Sequence, residues 1–245
     1  MLVLAIDTCD ARGSVALLDD EKALATVVHD HGEDYSTWLL PAVERALGET
    51  GRKLTDVGLY AAAAGPGSFT GIRIALTTVK AWNEVYQRPI AAVSRLEALA
   101  ILAVGAGKER PGFVVASCDA QRGQLYGAVY RRDAAADGQS LQRLDDEAVV
   151  SPAELVKWAA DRAGDQAVAW VSLDPASLAA EAGWQERAAK GEVLEQVSAV
   201  LAPTIGKLGL RMAAEKRLTD ALSLDANYIR RPDAEVKWKG YVKPA

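Results

Sequence analysis

The 245-residue chain is predicted to be an α/β protein whose two halves repeat a β-β-β-α-β-α plan. Three observations carry that prediction. Leu2–Ile6 and Phe113–Ser117 are short apolar runs, each followed by an aspartate (Asp7, Asp119), a Gly-containing turn (Arg12-Gly13, Arg122-Gly123) and a second apolar run (Ser14–Leu18, Leu125–Tyr130), which is the pattern of a β-hairpin. The stretch Ala64-Gly65-Pro66-Gly67-Ser68-Phe69-Thr70-Gly71-Ile72-Arg73 follows an apolar segment, Val57–Ala64, and opens a helical pattern over Ile72–Tyr86, so it joins strand to helix. In the second half, Ser151-Pro152-Ala153-Glu154 is a capping box with Pro at the first helical position.

The remaining elements fall between these markers. The first half continues with a third strand (Ala23–Val28), a helix over about Asp34–Leu47, the strand and helix of the glycine-rich stretch, a strand at Pro89–Val93 and a helix over Ser94–Val104. The second half echoes it with Leu141–Val150 as a strand, the helix opened by Ser151, a strand at Ala167–Val171 and a helix near Ala199–Lys216. The division is therefore residues 1–104, residues 105–222 and a C-terminal tail over 223–245.

Half of the residues are apolar, enough for a sizeable core. The formal charge of −5 gives no global attraction to nucleic acid or anionic membrane, so any RNA contact is local. Met1–Ile6 has no basic leader region, and no apolar stretch reaches membrane-spanning length, so a cytoplasmic location without membrane contact is expected. Cys9 and Cys118 lack metal-ligand spacing and are expected to be reduced thiols.

The glycine-rich loop has two readings. Its glycines permit positive φ and close backbone approach, and a helix N-terminus attracts anions, so Gly67, Ser68 and Thr70 can contact an anion or nucleotide. Equally it is a tight strand-to-helix turn without ligand, with Ser68 as the cap, since the spacing fits neither common phosphate-loop fingerprint. The two histidines, His29 and His31, lie two apart beside Asp30, Glu33 and Asp34 and read as a solvated strand edge, which leaves no metal site and no Ser-His-Asp arrangement.

At 100° per residue the helix after the loop carries two apolar faces. Ile72, Ala75, Leu76, Val79 and Tyr86 lie on one, Ile74, Thr78, Ala81 and Val85 on the other, with Arg73, Lys80 and Glu84 as a charged stripe. One face serves its own sheet and the second calls for another layer, within the fold or from another chain; the periodicity does not say which is which. In the preceding helix Leu39, Leu40, Val43 and Leu47 read as the core face, with Trp38, Ala42 and Arg45 outward as a helix-packing surface.

Gly65-Pro66-Gly67-Ser68-Phe69-Thr70-Gly71-Ile72-Arg73 resembles the defining motif of the TsaB (YeaZ) family, the partner subunit in bacterial synthesis of threonylcarbamoyladenosine on tRNA. The likeness runs from end to end: Leu4–Thr8, Leu39-Leu40-Pro41, Asp119–Tyr126, Tyr228-Ile229-Arg230 and Val236–Lys239 resemble further family segments in order. The resemblance implies the actin/sugar-kinase/chaperone-ATPase (ASKHA) fold, with paired halves flanking a cleft. In that superfamily aspartates placed as Asp7 and Asp119 face a nucleotide's phosphates, whereas the plain reading is an Asx turn at a strand end. The first turn, Thr8–Gly13, has a single late glycine, so weak nucleotide contact is the most expected and no cofactor is intrinsic.

The resemblance further implies a non-catalytic subunit that supports a metal-containing TsaD subunit and is joined by the ATPase TsaE. The tRNA is met indirectly through the complex, and the chain is expected to be a homodimer when alone. The family's partner helices map to Tyr35–Leu47 and Thr70–Tyr86, and the expected interface comprises Tyr35, Trp38, Ala42, Arg45, Ile72, Leu76, Val79, Lys80 and Asn83. Departures occur at Glu33–Ser36 and at Lys80-Ala81-Trp82-Asn83, which replaces a smaller, Gly-containing stretch. In the tail, Arg230, Arg231, Lys237 and Lys239 are candidate contacts to a partner or to the tRNA backbone. The rival reading is a sugar-kinase-like ATP-dependent phosphotransferase, which calls for richer glycine turns at both hairpins; a metalloprotease-like enzyme calls for ligands the chain lacks.

Overall fold

A computed structural model describes residues 1–30, 32–103, 111–132 and 140–230. Five strands, β1 (Leu2–Asp7), β2 (Ser14–Asp19), β3 (Lys22–Val28), β4 (Leu59–Gly65) and β5 (Ile90–Ser94), form one sheet in the order β3-β2-β1-β4-β5. The second sheet contains β6 (Phe113–Asp119), β7 (Leu125–Arg132), β8 (Leu141–Arg143), β9 (Ala148–Val150), β10 (Val168–Ser172) and β11 (Leu194–Gln196), with the path β11-β10-β6-β7-β8 and β9 also on β7. Read from the hairpin side, the two paths are the same: an antiparallel hairpin followed by two parallel strands. This duplication is the ASKHA arrangement expected for the chain.

The helices are α1 (Tyr35–Glu49), α2 (Phe69–Tyr86), α3 (Arg95–Leu102), α4 (Pro152–Ala163), α5 (Ala176–Ala179), α6 (Ala182–Ala189) and α7 (Ala202–Ala214). α4 starts on the predicted capping box, with Ser151 accepting from the Glu154 amide and the Glu154 carboxylate accepting in return from Ser151 N–H at 2.7 Å. The run Leu141–Val150 is not one strand. Between β8 and β9, Asp145 leaves the ladder to accept from Trp158 Nε1 (2.8 Å) and Arg162 Nε (2.6 Å), while Glu147 turns inward to Tyr130 (3.4 Å). α5, α6 and β11 were not anticipated, and the last helix starts later than Ala199 because its described first turn begins at Ala202.

Each half lends a helix to the other. α3 packs on β6, whereas α7 lies across β1, β2, β4 and β5 of the first sheet. Gly206 and Gly209 allow that approach: a Cβ on Gly209 would stand 2.8 Å from Ala61 Cβ and one on Gly206 3.3 Å from Ala5 Cβ. The main core includes both sheets, since Val114, Ala116 and Cys118 of β6 face it together with Ala169 and Val171 of β10. The alternate residues Phe113, Val115 and Trp170 face an outer core closed by Leu155 of α4 and Trp184 of α6.

Candidate functional site: the motif loop, its aspartate turn and the outer helix face

The glycine-rich loop is clasped to the β1–β2 turn. Ser68 N–H donates to Cys9 O (2.7 Å), Thr8 Oγ1 donates to Gly71 O (2.6 Å), and Ser68 Oγ caps α2 by accepting from Gly71 N–H (3.3 Å). A side chain at Gly71 would collide with the Thr8 carbonyl oxygen, and one at Gly67 (φ 158°) with that of Cys9. The glycines thus serve backbone-on-backbone contact. This overturns the anion reading of Gly67 and Ser68: the amide of Ser68 is satisfied by protein and its hydroxyl by the helix start. Thr70 is exposed and turned away, lining a shallow groove of about 460 Å³ with Ser36, Phe69, Arg73, Ile74 and Thr77.

Asp7 is fully buried at the end of β1. One carboxylate oxygen accepts from Cys9 N–H (2.9 Å) and the other from Arg95 Nε (3.2 Å), while Arg95 Nη2 also reaches Asp10 (2.9 Å). Arg95 is itself buried, and its carboxylate partners hold its pKa raised despite the burial that opposes it. Burial alone would raise the Asp10 carboxyl, but the Arg95 guanidinium outweighs it and keeps Asp10 below the ordinary range. The Asp7 carboxylate is therefore spent within the protein, which corrects its reading as a nucleotide contact. Asp119, its counterpart in the repeat, is exposed and folds back onto Gln121, accepting from the backbone N–H (2.8 Å) and from Nε2 (2.7 Å), so it too is engaged in its own turn. Arg95 was missed from sequence. A cation in the first turn of a helix opposes the helix dipole, and that was the available signal that carboxylates must face it.

His29 is not a solvated edge. It is buried, with Nδ1 3.1 Å from Ala11 O and Nε2 2.8 Å from Glu33 O, and its ring packs edge-on to Trp38 at 5.1 Å. His31 lies outside the described residues. Both thiols are buried and free, and burial raises the Cys9 pKa well above its usual value and that of Cys118 to about 12.

The helix faces require correction. Trp38 and Ala42 are buried, because α1 rests on β2 and β3 with one side and on α2 with another, and because His29 and Tyr35 cover the indole. Ile72, Leu76 and Val79 face the core on β4. None of these five can line an interface in this fold. Tyr35 is half-buried, donating to Asp10 O, and burial takes its phenol to about 12. Asn83 is taken up by its own chain, accepting from Ala221 N–H (2.9 Å) and donating to Arg88 O (2.7 Å). Arg45 is exposed and paired along the helix with Glu49 at 2.8 Å, and Lys80 is partly exposed.

The surface left open is the other face. On α2, Ile74, Thr77, Thr78, Ala81 and Val85 (70% exposed) follow helical spacing, and Leu40 of α1, assigned to the core from sequence, is 52% exposed. At the C-terminal end, Asn227 N–H donates to Ala64 O (2.7 Å), Tyr228 stacks on Phe69 with ring centres 4.9 Å apart, and Arg230 donates to Ala120 O and to Gln124 Oε1 (2.5 Å). Tyr228 and Ile229 pack against the main core. Arg231, Lys237 and Lys239 lie outside the described residues.

A family profile described as "TsaD: tRNA N6-adenosine threonylcarbamoyltransferase" matches residues 29–238. The chain is 30% identical to the tRNA threonylcarbamoyladenosine biosynthesis protein TsaB of Bacillus subtilis, over 97% of this chain and 98% of that protein. It is also 30% identical to the Escherichia coli protein of the same description, over 98% and 97% respectively. Among solved structures, YeaZ from Pseudomonas aeruginosa superposes with a TM-score of 0.66 at 26% identity, covering 93% of this chain and 99% of that one. A P. aeruginosa protein described as similar to peptidase YEAZ gives 0.71 at 28% identity, covering 94% and 99%. With the motif loop, the duplicated sheets and full-length relatives in agreement, this chain belongs to the TsaB (YeaZ) family of tRNA threonylcarbamoyladenosine biosynthesis proteins.

Proposed function

We propose that this chain is a non-catalytic subunit of the tRNA threonylcarbamoyl-transfer complex, supporting a TsaD-like catalytic subunit together with a TsaE-like ATPase in the cytoplasm. The observation that carries the reading is the open face of α1 and α2: Leu40, Ile74, Thr77, Ala81 and Val85 form a low-profile surface of small and apolar side chains, the kind that packs helix against helix. The Asp7–Arg95 pair supports the non-catalytic part, because a buried carboxylate already neutralised by a guanidinium has no charge to offer a metal or phosphate. Alone, the same face pairs with a second copy, so homodimer and partner complex are alternatives at one surface.

The test is association of the purified chain with a TsaD-like subunit. Ile74→Glu and Val85→Glu place an unpaired carboxylate in the proposed contact and should weaken binding by at least about 2 kcal/mol, with unchanged circular dichroism. The same substitutions should shift the free protein from dimer to monomer in light scattering. Unchanged partner affinity in both variants would exclude this face.

A further inference from the structure

We infer that the groove between the motif loop and the β6–β7 turn is a contact site for an unpaired strand of RNA, an inference that rests on the pathway assignment above and gives this subunit a direct hold on the nucleic acid. The groove encloses about 380 Å³. Pro66 and Phe69 wall one side, Gln121 and Arg122 the other, and Tyr228 and Arg230 close it.

Two features of these residues fit a stacked, anionic ligand. The first is an aromatic platform. Phe69 and Tyr228 are stacked with an interplanar angle of 30°, and the Arg73 guanidinium sits 3.8 Å from the centre of the Phe69 ring while donating to Tyr228 Oη at 3.0 Å. Flat rings and a flat guanidinium held in one stack present the surface on which nucleobases stack regardless of sequence.

The second feature is charge. Elsewhere the arginines neutralise carboxylates, as Arg162 does Asp145 (2.5 Å), Arg187 does Glu192 (2.7 Å) and Arg217 does Glu215 (2.7 Å). At the groove the partners differ: Arg73 has a phenol and an aromatic ring, and Arg230 has a carbonyl and an amide oxygen. Neither has a carboxylate partner among the described residues, and the carboxylate of the facing turn, Asp119, is taken up by Gln121. In a chain of net charge −5, two cations fixed by neutral groups beside stacked rings form a local exception to the global repulsion of RNA. Phosphates would meet Arg73 and Arg230, with a base against the Phe69–Tyr228 platform. An acidic peptide would use the cations but leave the rings without a stacking partner.

The experiment is fluorescence anisotropy of a labelled, unstructured oligoribonucleotide titrated with the full chain between about 50 and 200 mM salt. The parent should bind, with log K falling linearly in log salt. Arg73→Ala with Arg230→Ala should lower affinity by about tenfold or more and flatten that slope by about 1.4, two phosphate contacts at roughly 0.7 each. Phe69→Leu should cost about fivefold or more with the slope unchanged. Arg131→Ala, which removes a surface arginine bonded to Gln142, should change neither. The inference is overturned by absent binding in the parent, by a double variant with parental affinity and slope, or by displacement of the RNA with an acidic peptide or AMP at equal concentration. Partner association is measured on the same variants: loss of RNA binding with intact association upholds both readings, whereas intact RNA binding with lost association removes only the subunit reading. Should Phe69→Leu fail to fold, as read by thermal unfolding, the arginine pair still decides.

Discussion

Replacing Arg95 with Met tests whether the buried aspartate of the first hairpin is structural. Asp7 is fully buried and keeps only two partners, Cys9 N–H at 2.9 Å and Arg95 Nε at 3.2 Å. Removing the guanidinium strands its carboxylate in the core, and breaking a buried pair from one side costs about 3–5 kcal/mol. Asp10 adds little, because its side chain is 41% exposed and water screens it. Set against a typical stability of about 5–15 kcal/mol, this loss is large, and for a domain of this size it lowers Tm by roughly 6–20 °C. Asp7→Asn combined with Arg95→Met removes both charges and should recover most of the loss. Urea and thermal unfolding of the four proteins would measure it. The reasoning fails if Arg95→Met lies within about 1 kcal/mol of the parent, or if the double variant is no more stable than the single. Because Asp10 is held below its usual pKa, its pairing contributes at neutral pH and is lost as pH falls through that lowered value, so the gap between parent and Arg95→Met should narrow in acid.

Three further outcomes follow from the same geometry. Gly71→Ala drives a Cβ into the Thr8 carbonyl and should destabilise by at least about 3 kcal/mol, a loss visible in urea unfolding, whereas Gly51→Ala, with open space around it but φ 65°, should cost only about 1 kcal/mol. Burial raises Glu97 above the ordinary carboxylate value of 4.5 in spite of Arg217 and Arg211, so the fold penalises its ionised form. That penalty is absent below the unfolded value and complete above the folded one, so Glu97→Gln should stabilise the protein at pH 7 and have little effect below about pH 4, as read from Tm against pH. Because both thiols are buried and pushed up, iodoacetamide at pH 8 should label neither Cys9 nor Cys118 in the native protein and both after denaturation, as mass spectrometry would show.

The legible part of the fold was what local pattern determines. The two aspartate-ended hairpins, the Ser151 capping box and the strand-to-helix motif are each specified within about ten residues, and they reappear as β1–β2, β6–β7, α4 and the β4–α2 join. What depended on distant partners was misread. The periodicity of α2 defines two apolar faces but not which one meets β4, and on α1 the pattern could not show that His29 and Tyr35 cover Trp38. Arg95 meets Asp7 across 88 positions of sequence, so only its odd place in a helix's first turn could have flagged it. The strand Leu141–Val150 was broken by Trp158 and Arg162 drawing Asp145 aside, an event that no β-propensity records. The loop glycines illustrate the same limit: their backbone freedom was legible, but the carbonyls of Thr8 and Cys9 that they admit were not.

The most direct measurement of the subunit role is a reconstituted threonylcarbamoyl-transfer assay on unmodified tRNA supplied with threonylcarbamoyl-AMP. It would compare this chain alone, a TsaD-like subunit alone, both together, and both with Ile74→Glu in place of the parent chain. The account predicts no product from this chain alone, strong stimulation of the TsaD-like subunit by the parent, and loss of that stimulation with Ile74→Glu while its Tm and circular dichroism match the parent. Product formed by this chain in the absence of the TsaD-like subunit, or full stimulation by the Ile74→Glu variant, would contradict it.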